Sequence, residues 1–332
     1  MKATVLSDGA WGTALALTLL ANGHDTSLWA PFPEHVEDMK TAQENIHFLP
    51  GIPLPETLTL EADLRAAVEG AQLIVLAAPA QYLRKLLDAL AAIPRRQDPI
   101  VVNVAKGIEV GSLLRMSELV ESVLGRIRYA VLSGPSHAEE VAKGIPTAVT
   151  IASRDASIFE EAQRAFMNES LRVYTSYDVV GVELGGALKN VLALAAGVCD
   201  GMGFGDNTKA ALMTRGIVEM ARLGQALGGR AETFSGLSGV GDLIVTCMSR
   251  HSRNRYVGEQ LGRGRSLPDI ITEMDGKVAE GVTTAKGAHE LAARMHVRAP
   301  IIDQIHDGLY RGVDPREAVR HLMTREAKLE TH

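Results

Sequence analysis

The chain has 332 residues, 46% hydrophobic and 22% charged, and a formal net charge of −6. This length exceeds one ordinary core and predicts two domains, the composition excludes a disordered chain, and the charge excludes a nucleic-acid surface spread over the molecule while leaving room for a local basic pocket. The two cysteines, Cys199 and Cys247, lie far apart without CxxC or metal-ligand spacing, so we expect reduced thiols, a cytoplasmic home and no metal site.

From Met1-Lys2 the chain enters an apolar strand at residues 3–6. We read no signal-peptide region and no apolar run long enough to cross a bilayer, and expect no membrane insertion. Ser7-Asp8-Gly9-Ala10-Trp11-Gly12 then turns into a helical pattern over residues 13–21, stopped by Asn22-Gly23. A glycine turn between strand and helix lets backbone approach a pyrophosphate at the helix N-terminus. Here the usual GxGxxG reads SxGxxG, with Ser7 at the first glycine. A second strand at 25–29 follows at βαβ spacing, which favours a dinucleotide over a generic turn.

Residues 31–55 predict a short helix and then a proline-rich excursion at 49–55 that is not regular structure. Continuous apolar runs at 73–77 and 100–104 read as strands buried on both faces, and further strands at 129–133, 147–152 and 171–175 flank a helix at 156–167. The expected fold class is therefore α/β, with a doubly wound parallel sheet over residues 1–177. In such sheets ligands bind beyond the carboxyl ends of strands, where Ala77-Ala78-Pro79, Ala105-Lys106-Gly107 and Ser133-Gly134-Pro135-Ser136-His137-Ala138 fall. Lys106 is read either as a surface lysine or as a cleft residue. His137, near a helix start, is read as a weaker acid-base candidate.

Beyond Gly181 strand signals vanish, and helical patterns at 207–227, 255–261, 267–274, 284–294 and 299–309 predict an all-helical domain over 178–332. Its first helix, about residues 181–197, is apolar all round and so buried, yet carries Lys189. A buried ammonium needs a reason. Gly185 and Gly186 share the face of Lys189 and leave bare backbone where a ligand could approach, and the alternative is a lysine that snorkels to the surface. Downstream, the glycine-rich 238–246 segment puts Asp242 at a helix start with Thr246 on the same face. Asp242 is either an N-cap or the partner of Lys189. The basic run Ser249-Arg250-His251-Ser252-Arg253-Asn254-Arg255 reads as a solvated turn or as a phosphate clamp, since guanidinium matches phosphate oxygens bidentately.

With Lys106-Gly107, Gly134-Pro135-Ser136, Leu188-Lys189-Asn190, Gly239-Val240-Gly241-Asp242-Leu243, Ser252-Arg253-Asn254-Arg255 and Glu280-Gly281 in this order over nearly its full length, the sequence resembles the bacterial NAD(P)-dependent glycerol-3-phosphate dehydrogenases. The resemblance implies an N-terminal Rossmann-like domain, NAD or NADP as cofactor, and reduction of dihydroxyacetone phosphate to sn-glycerol 3-phosphate, a phospholipid precursor. It implies Lys189 as the catalytic acid-base residue, with Asp242 and Lys106 assisting. Around the phosphorylated substrate it implies Lys106, Gly134, Ser136, Lys189, Asn190, Asp242, Thr246, Ser252, Arg253 and Asn254. The expected cofactor contacts are Gly9, Ala10, Trp11, Gly12, Pro31, Lys106, Ala138, Arg253, Val278 and Glu280. Ser7 and Pro31 depart from the family pattern. A homodimer is compatible with the helical domain. Two rivals stay open, a similar dehydrogenase acting on a 3-hydroxy acid or ketopantoate and a non-catalytic dinucleotide sensor. Trp29-Ala30-Pro31-Phe32 offers no charge for a ribose 2′-OH or 2′-phosphate, so the sequence leads us to expect use of both coenzymes within about tenfold.

Overall fold

The computed structural model describes residues 1–94, 98–274, 277–327 and 329–330. Residues 95–97 of the expected first domain and 275, 276, 328, 331 and 332 of the expected second lie outside the described residues. Among the described residues ten strands precede the helical half: β1 Lys2–Leu6, β2 Asp25–Trp29, β3 Glu44–Asn45, β4 Leu49–Pro53, β5 Thr59–Glu61, β6 Leu73–Leu76, β7 Ile100–Asn103, β8 Arg128–Ser133, β9 Thr147–Ala152 and β10 Leu171–Ser176. Eight form one sheet in the order β10-β9-β8-β7-β6-β1-β2-β5. From β5 to β8 every pair is parallel, the strand order of a dinucleotide-binding fold with its switch point between β1 and β6. Alternate residues face opposite sides. Ala3, Val5, Leu28 and Val75 pack against the helix Ala10–Ala21 on one face. Leu6, Ile74 and Leu76 meet the helices Ala80–Ala91 and Met116–Leu124 on the other.

The doubly wound, mainly parallel sheet is as expected, with one antiparallel pairing towards an edge. β9 runs antiparallel to β8, with Ser133 opposite Thr150, and β10 follows β9 in parallel. The chain between β8 and β9 holds only the five-residue helix Ala138–Ala142. That helix advances about 7 Å against the ~20 Å of a six-residue strand, so it does not pack along the sheet as the crossover helix of a βαβ unit, and the chain re-enters the sheet from the end it left. A correction concerns residues 49–55, expected to be irregular. Leu49–Pro53 is a strand paired antiparallel with Glu44–Asn45 in a separate two-stranded ribbon. Prolines are tolerated on such an edge, and the ribbon is anchored by Leu49 and Ile52, which pack on Ala14 and Ala138.

After β10, no strand occurs among the described residues. The helix Val179–Gly201 runs through the centre of this half, covered by Asp206–Ala226, Asp242–Met248, Arg253–Gly262, Glu280–Arg294 and Pro300–Tyr310. It starts cleanly because Asp178 accepts from the Gly181 N–H while its other oxygen takes the Arg230 N–H and the Thr233 hydroxyl. Contrary to the sequence reading, this 23-residue helix is long and apolar enough to cross a membrane by length and composition. It is buried in protein instead, and its hydrophobic surface forms the core shared with Leu223, Leu243, Ala288 and Ile302.

Candidate active site

Lys189 is the polar centre of the Val179–Gly201 helix and is only 7% exposed, so it does not snorkel. Its Nζ donates to Asp242 Oδ1 and, at 2.7 Å, to Thr246 Oγ1, which in turn donates to the Asp242 carbonyl. Asp242 is 1% exposed, and its second oxygen accepts from Lys106 Nζ at 2.6 Å. Lys106 comes from the loop after β7 and also donates to the Gly134 carbonyl after β8. One carboxylate thus lies between two ammonium groups, and each ammonium has three protons with one not engaged by these partners. Asp242 makes no N-capping bond. Gly241 occupies the cap position after a π-helical turn, and Asp242 is the first residue of its helix.

Burial lowers the Lys189 pKa to about 8, with Lys106 adding to the fall and Asp242 opposing it. Burial would raise the Asp242 carboxyl, but the charges of Lys106 and Lys189 outweigh it and hold the group below the ordinary aspartate range. The lysine is therefore poised near neutral pH as a proton donor beside a permanently charged partner. Gly185 and Gly186 serve a different purpose from the ligand approach expected of them. A Cβ at Gly185 would lie 2.3 Å from the Ser238 carbonyl oxygen, and one at Gly186 2.7 Å from Ser133 Oγ and 3.3 Å from Lys106 Cγ. These positions admit protein backbone and the Lys106 stem, which brings the two lysines together.

The crevice at the switch point carries the dinucleotide features. The helix Ala10–Ala21 has Gly9 as N-cap with no side-chain capping bond and no acid in its first turn, so its end is open to an anion. A Cβ at Gly9 would meet nothing nearer than Ser7 Oγ at 3.8 Å, whereas one at Gly12 would lie 2.2 Å from the Ser7 carbonyl oxygen. The first leaves a cradle for phosphate and the second packs helix on strand, so these residues fit a dinucleotide. Ala10 and Trp11 open this helix, and Ala138 packs against it. Glu280, the first residue of Glu280–Arg294, reaches across to accept the Ala80 N–H after β6 at 2.8 Å. Burial raises its pKa against the opposing effect of that bond and of Arg253. Val278 is partly buried just before it, and Pro31 is exposed beyond β2.

Ser7 carries φ of 122°, a conformation that costs a non-glycine residue about 1–3 kcal/mol. Ser7→Gly is expected to raise stability by about 1 kcal/mol after the glycine's entropic cost. A urea midpoint that stays level or falls would show that the serine is not strained.

The basic run divides by role. Ser252 caps the helix Arg253–Gly262 through Arg255 N–H. Asn254 donates to Asn190 Oδ1 at 2.9 Å and accepts the Gly281 N–H at 2.9 Å, while Asn190 Nδ2 reaches the Lys106 carbonyl. These two amides tie the Val179–Gly201, Arg253–Gly262 and Glu280–Arg294 helices at the site. Arg255 is paired with Asp200. Arg253 is exposed and makes no ion pair or hydrogen bond among the described residues, so its guanidinium is available to an anion. Ser136 donates to the Gly134 carbonyl beside Lys106. His137 precedes its helix with Nε2 buried and unpartnered, and its pKa is lowered by burial and then by the Lys189 charge.

Sequence reading missed two groups here. Asp8, inside the glycine turn, pairs with His35, and Arg115 pairs with Glu183 of the central helix. The first was signalled only by an acid inside the fingerprint, and the second by a glutamate on a largely apolar helix.

Residues 2–159 match the family model described as NAD-dependent glycerol-3-phosphate dehydrogenase N-terminus, and residues 178–320 the one described as its C-terminus. The chain is 48% identical to the glycerol-3-phosphate dehydrogenase, NAD(P)+, of Chlorobium phaeobacteroides strain BS1, over 99% of each chain. It superposes on the crystal structure of glycerol-3-phosphate dehydrogenase from Coxiella burnetii with a TM-score of 0.93 and 37% identity, covering 98% of this chain and 99% of that one. Similarity to a ketopantoate reductase of Ralstonia eutropha JMP134, at a TM-score of 0.59 and 17% identity over 96% of this chain and 100% of the other, is likeness of fold alone.

Proposed function

The chain belongs to the NAD-dependent glycerol-3-phosphate dehydrogenase family, and from that premise we propose that it reduces dihydroxyacetone phosphate to sn-glycerol 3-phosphate, supplying the glycerol backbone of phospholipids, with residues 1–177 binding the coenzyme and 178–332 the substrate. The observation that carries the reading is a buried lysine with a lowered pKa, held by Asp242 and Thr246 beside a second lysine at the carboxyl ends of the strands. NAD(P)H, when bound, supplies a hydride to the ketone carbon. Lys189 holds a proton on Nζ for the substrate oxygen, whose developing charge both ammonium groups stabilise. Asp242 keeps the two amines in place, and Asn190, Asn254 and Ser252 fix the helix end that presents Arg253 to the phosphate. Cys199 and Cys247 are free and buried, in keeping with a reducing cytoplasm, and a homodimer through the helical half completes the proposal.

Oxidation of NADH or NADPH that depends on added dihydroxyacetone phosphate tests this. Turnover with ketopantoate in its place would favour the rival dehydrogenase, and coenzyme binding without turnover would favour the sensor. The pH dependence has a defined sign. Because reduction needs the ammonium form, kcat is expected to fall as pH rises through about 8, while oxidation of glycerol 3-phosphate rises over the same interval. A reduction rate level between pH about 7 and about 9 would remove Lys189 as the acid. Arg253→Ala is expected to raise KM for dihydroxyacetone phosphate by about 10- to 100-fold with a smaller change in kcat, the scale of a lost charged hydrogen bond. Arg253→Lys should recover little, since a point charge lacks the guanidinium fork.

A further inference from the structure

The end of β2 lacks the carboxylate that ordinarily accepts the ribose 2′-OH of NAD and the arginine that accepts the 2′-phosphate of NADP. The fold brings a carboxylate to that place from elsewhere. The Ser7 N–H donates to the Trp29 carbonyl at 3.1 Å, so the glycine turn lies directly against the end of β2. From this turn the Asp8 side chain reaches the helix Pro33–Ala42 that follows β2, where Oδ2 pairs with His35 Nδ1 at 2.8 Å. Asn45 Nδ2 holds the Asp8 carbonyl at 2.6 Å and Thr13 Oγ1 at 2.8 Å, which fixes the turn from the other side. Asp8 is 4% exposed, yet Oδ1 has no partner among the described residues.

We infer that Asp8, oriented by His35, is the specificity residue for the adenosine ribose, accepting its hydroxyls through Oδ1 and rejecting a 2′-phosphate. The inference rests on the dinucleotide reading of this crevice and replaces the expectation that both coenzymes are used within about tenfold. The surrounding charges agree with it. The helix Pro33–Ala42 carries Glu34, Glu37 and Asp38 against Lys40, which is paired with Glu37. From the β3–β4 ribbon, Glu44 accepts the Gly51 N–H, and His47 is paired with Asp38 at 2.9 Å. Both imidazoles therefore already face a carboxylate, and no unpaired Lys or Arg occurs in these segments among the described residues. The His35 ring stacks on His47 with centroids 4.4 Å apart, and Phe32 and Phe48 pack at its rim, a surface suited to an adenine. A doubly charged phosphate placed against Asp8 meets like charge in a largely buried site, which is rejection by repulsion as well as loss of a contact.

The test is equilibrium binding of NADH and of NADPH without substrate, read from quenching of Trp11 and Trp29, which bracket the site. Wild-type protein is expected to bind NADH at least about tenfold tighter than NADPH. Asp8→Asn keeps an oxygen acceptor and removes the charge, and is expected to narrow that ratio about tenfold, chiefly by tighter NADPH binding. His35→Gln keeps a donor to Asp8 and is expected to retain the NADH preference. A wild-type ratio near one or favouring NADPH overturns the inference, as does an Asn variant in which both affinities move together or a Gln variant that loses NADPH binding selectively. If neither variant folds, competition on wild-type protein by 5′-AMP against adenosine 2′,5′-bisphosphate decides it, with tighter bisphosphate binding as the overturning result. Binding needs no turnover, so failure to reduce dihydroxyacetone phosphate would refute the proposed substrate while leaving this measurement intact.

Discussion

Replacing Lys189 by methionine is expected to lower kcat for dihydroxyacetone phosphate reduction by about 10²-fold or more, the scale of a lost positioned acid, with Kd for the coenzyme nearly unchanged. Methionine matches the stem of lysine, so the helix keeps its packing against Leu243 and Ala288. Removing the ammonium leaves Asp242 paired with Lys106 through Oδ2, so no carboxylate is stranded and the variant should fold. The loss should fall on kcat because the proton is needed only as the substrate oxygen gathers charge. Asp242→Asn should cost less, since Lys189 keeps Thr246 and gains acidity. Near wild-type turnover for the methionine variant would mean that the lysine is structural.

Replacing Arg115 by methionine is expected to destabilise the fold by about 3–5 kcal/mol, the range for breaking one partner of a buried pair. Arg115 Nη1 donates to Glu183 Oε2 at 2.6 Å, and Glu183 also takes the Ser117 N–H, the Ser117 hydroxyl and the Tyr129 hydroxyl. Arg115, Ser117 and Tyr129 belong to the sheet half, and Glu183 to the central helix. This cluster therefore anchors one half to the other. Burial already holds the Glu183 carboxyl above the ordinary range, with Arg115 opposing, and without the guanidinium that opposition is gone. A carboxyl whose folded pKa is raised contributes stability at low pH and loses it as pH rises through that pKa. The loss in the variant should accordingly shrink on acidification. Urea unfolding at several pH values measures this, and Arg115→Met combined with Glu183→Leu should recover part of the loss. A cost below about 1 kcal/mol for the single change would show that the neutral donors alone hold Glu183.

The sequence by itself determined much of the architecture and part of the site. Runs such as Leu73–Leu76 and Ile100–Asn103 announce strands covered on both faces because periodicity reports burial locally. Lys189 was legible as a buried lysine in need of partners because an ammonium inside an apolar helix has a desolvation cost that packing cannot remove. Lys106 and Gly134 were legible from their places after strands, where a parallel sheet opens to ligand. The tertiary structure decided the rest. It turned β9 against β8, where the link holds only a five-residue helix and no crossover helix packed along the sheet, and it made a ribbon of a proline-rich segment by giving Leu49 and Ile52 something to pack on. It resolved Asp242 as the bridge between two lysines, 53 residues from one and 136 from the other, and filled the space beside Gly185 with the Ser238 carbonyl. It also set Asp8 against His35 and Arg115 against Glu183. A local pattern tells which residues are buried, but a buried charge is stable only with a particular partner, and that choice depends on distances that exist only once the chain has closed on itself.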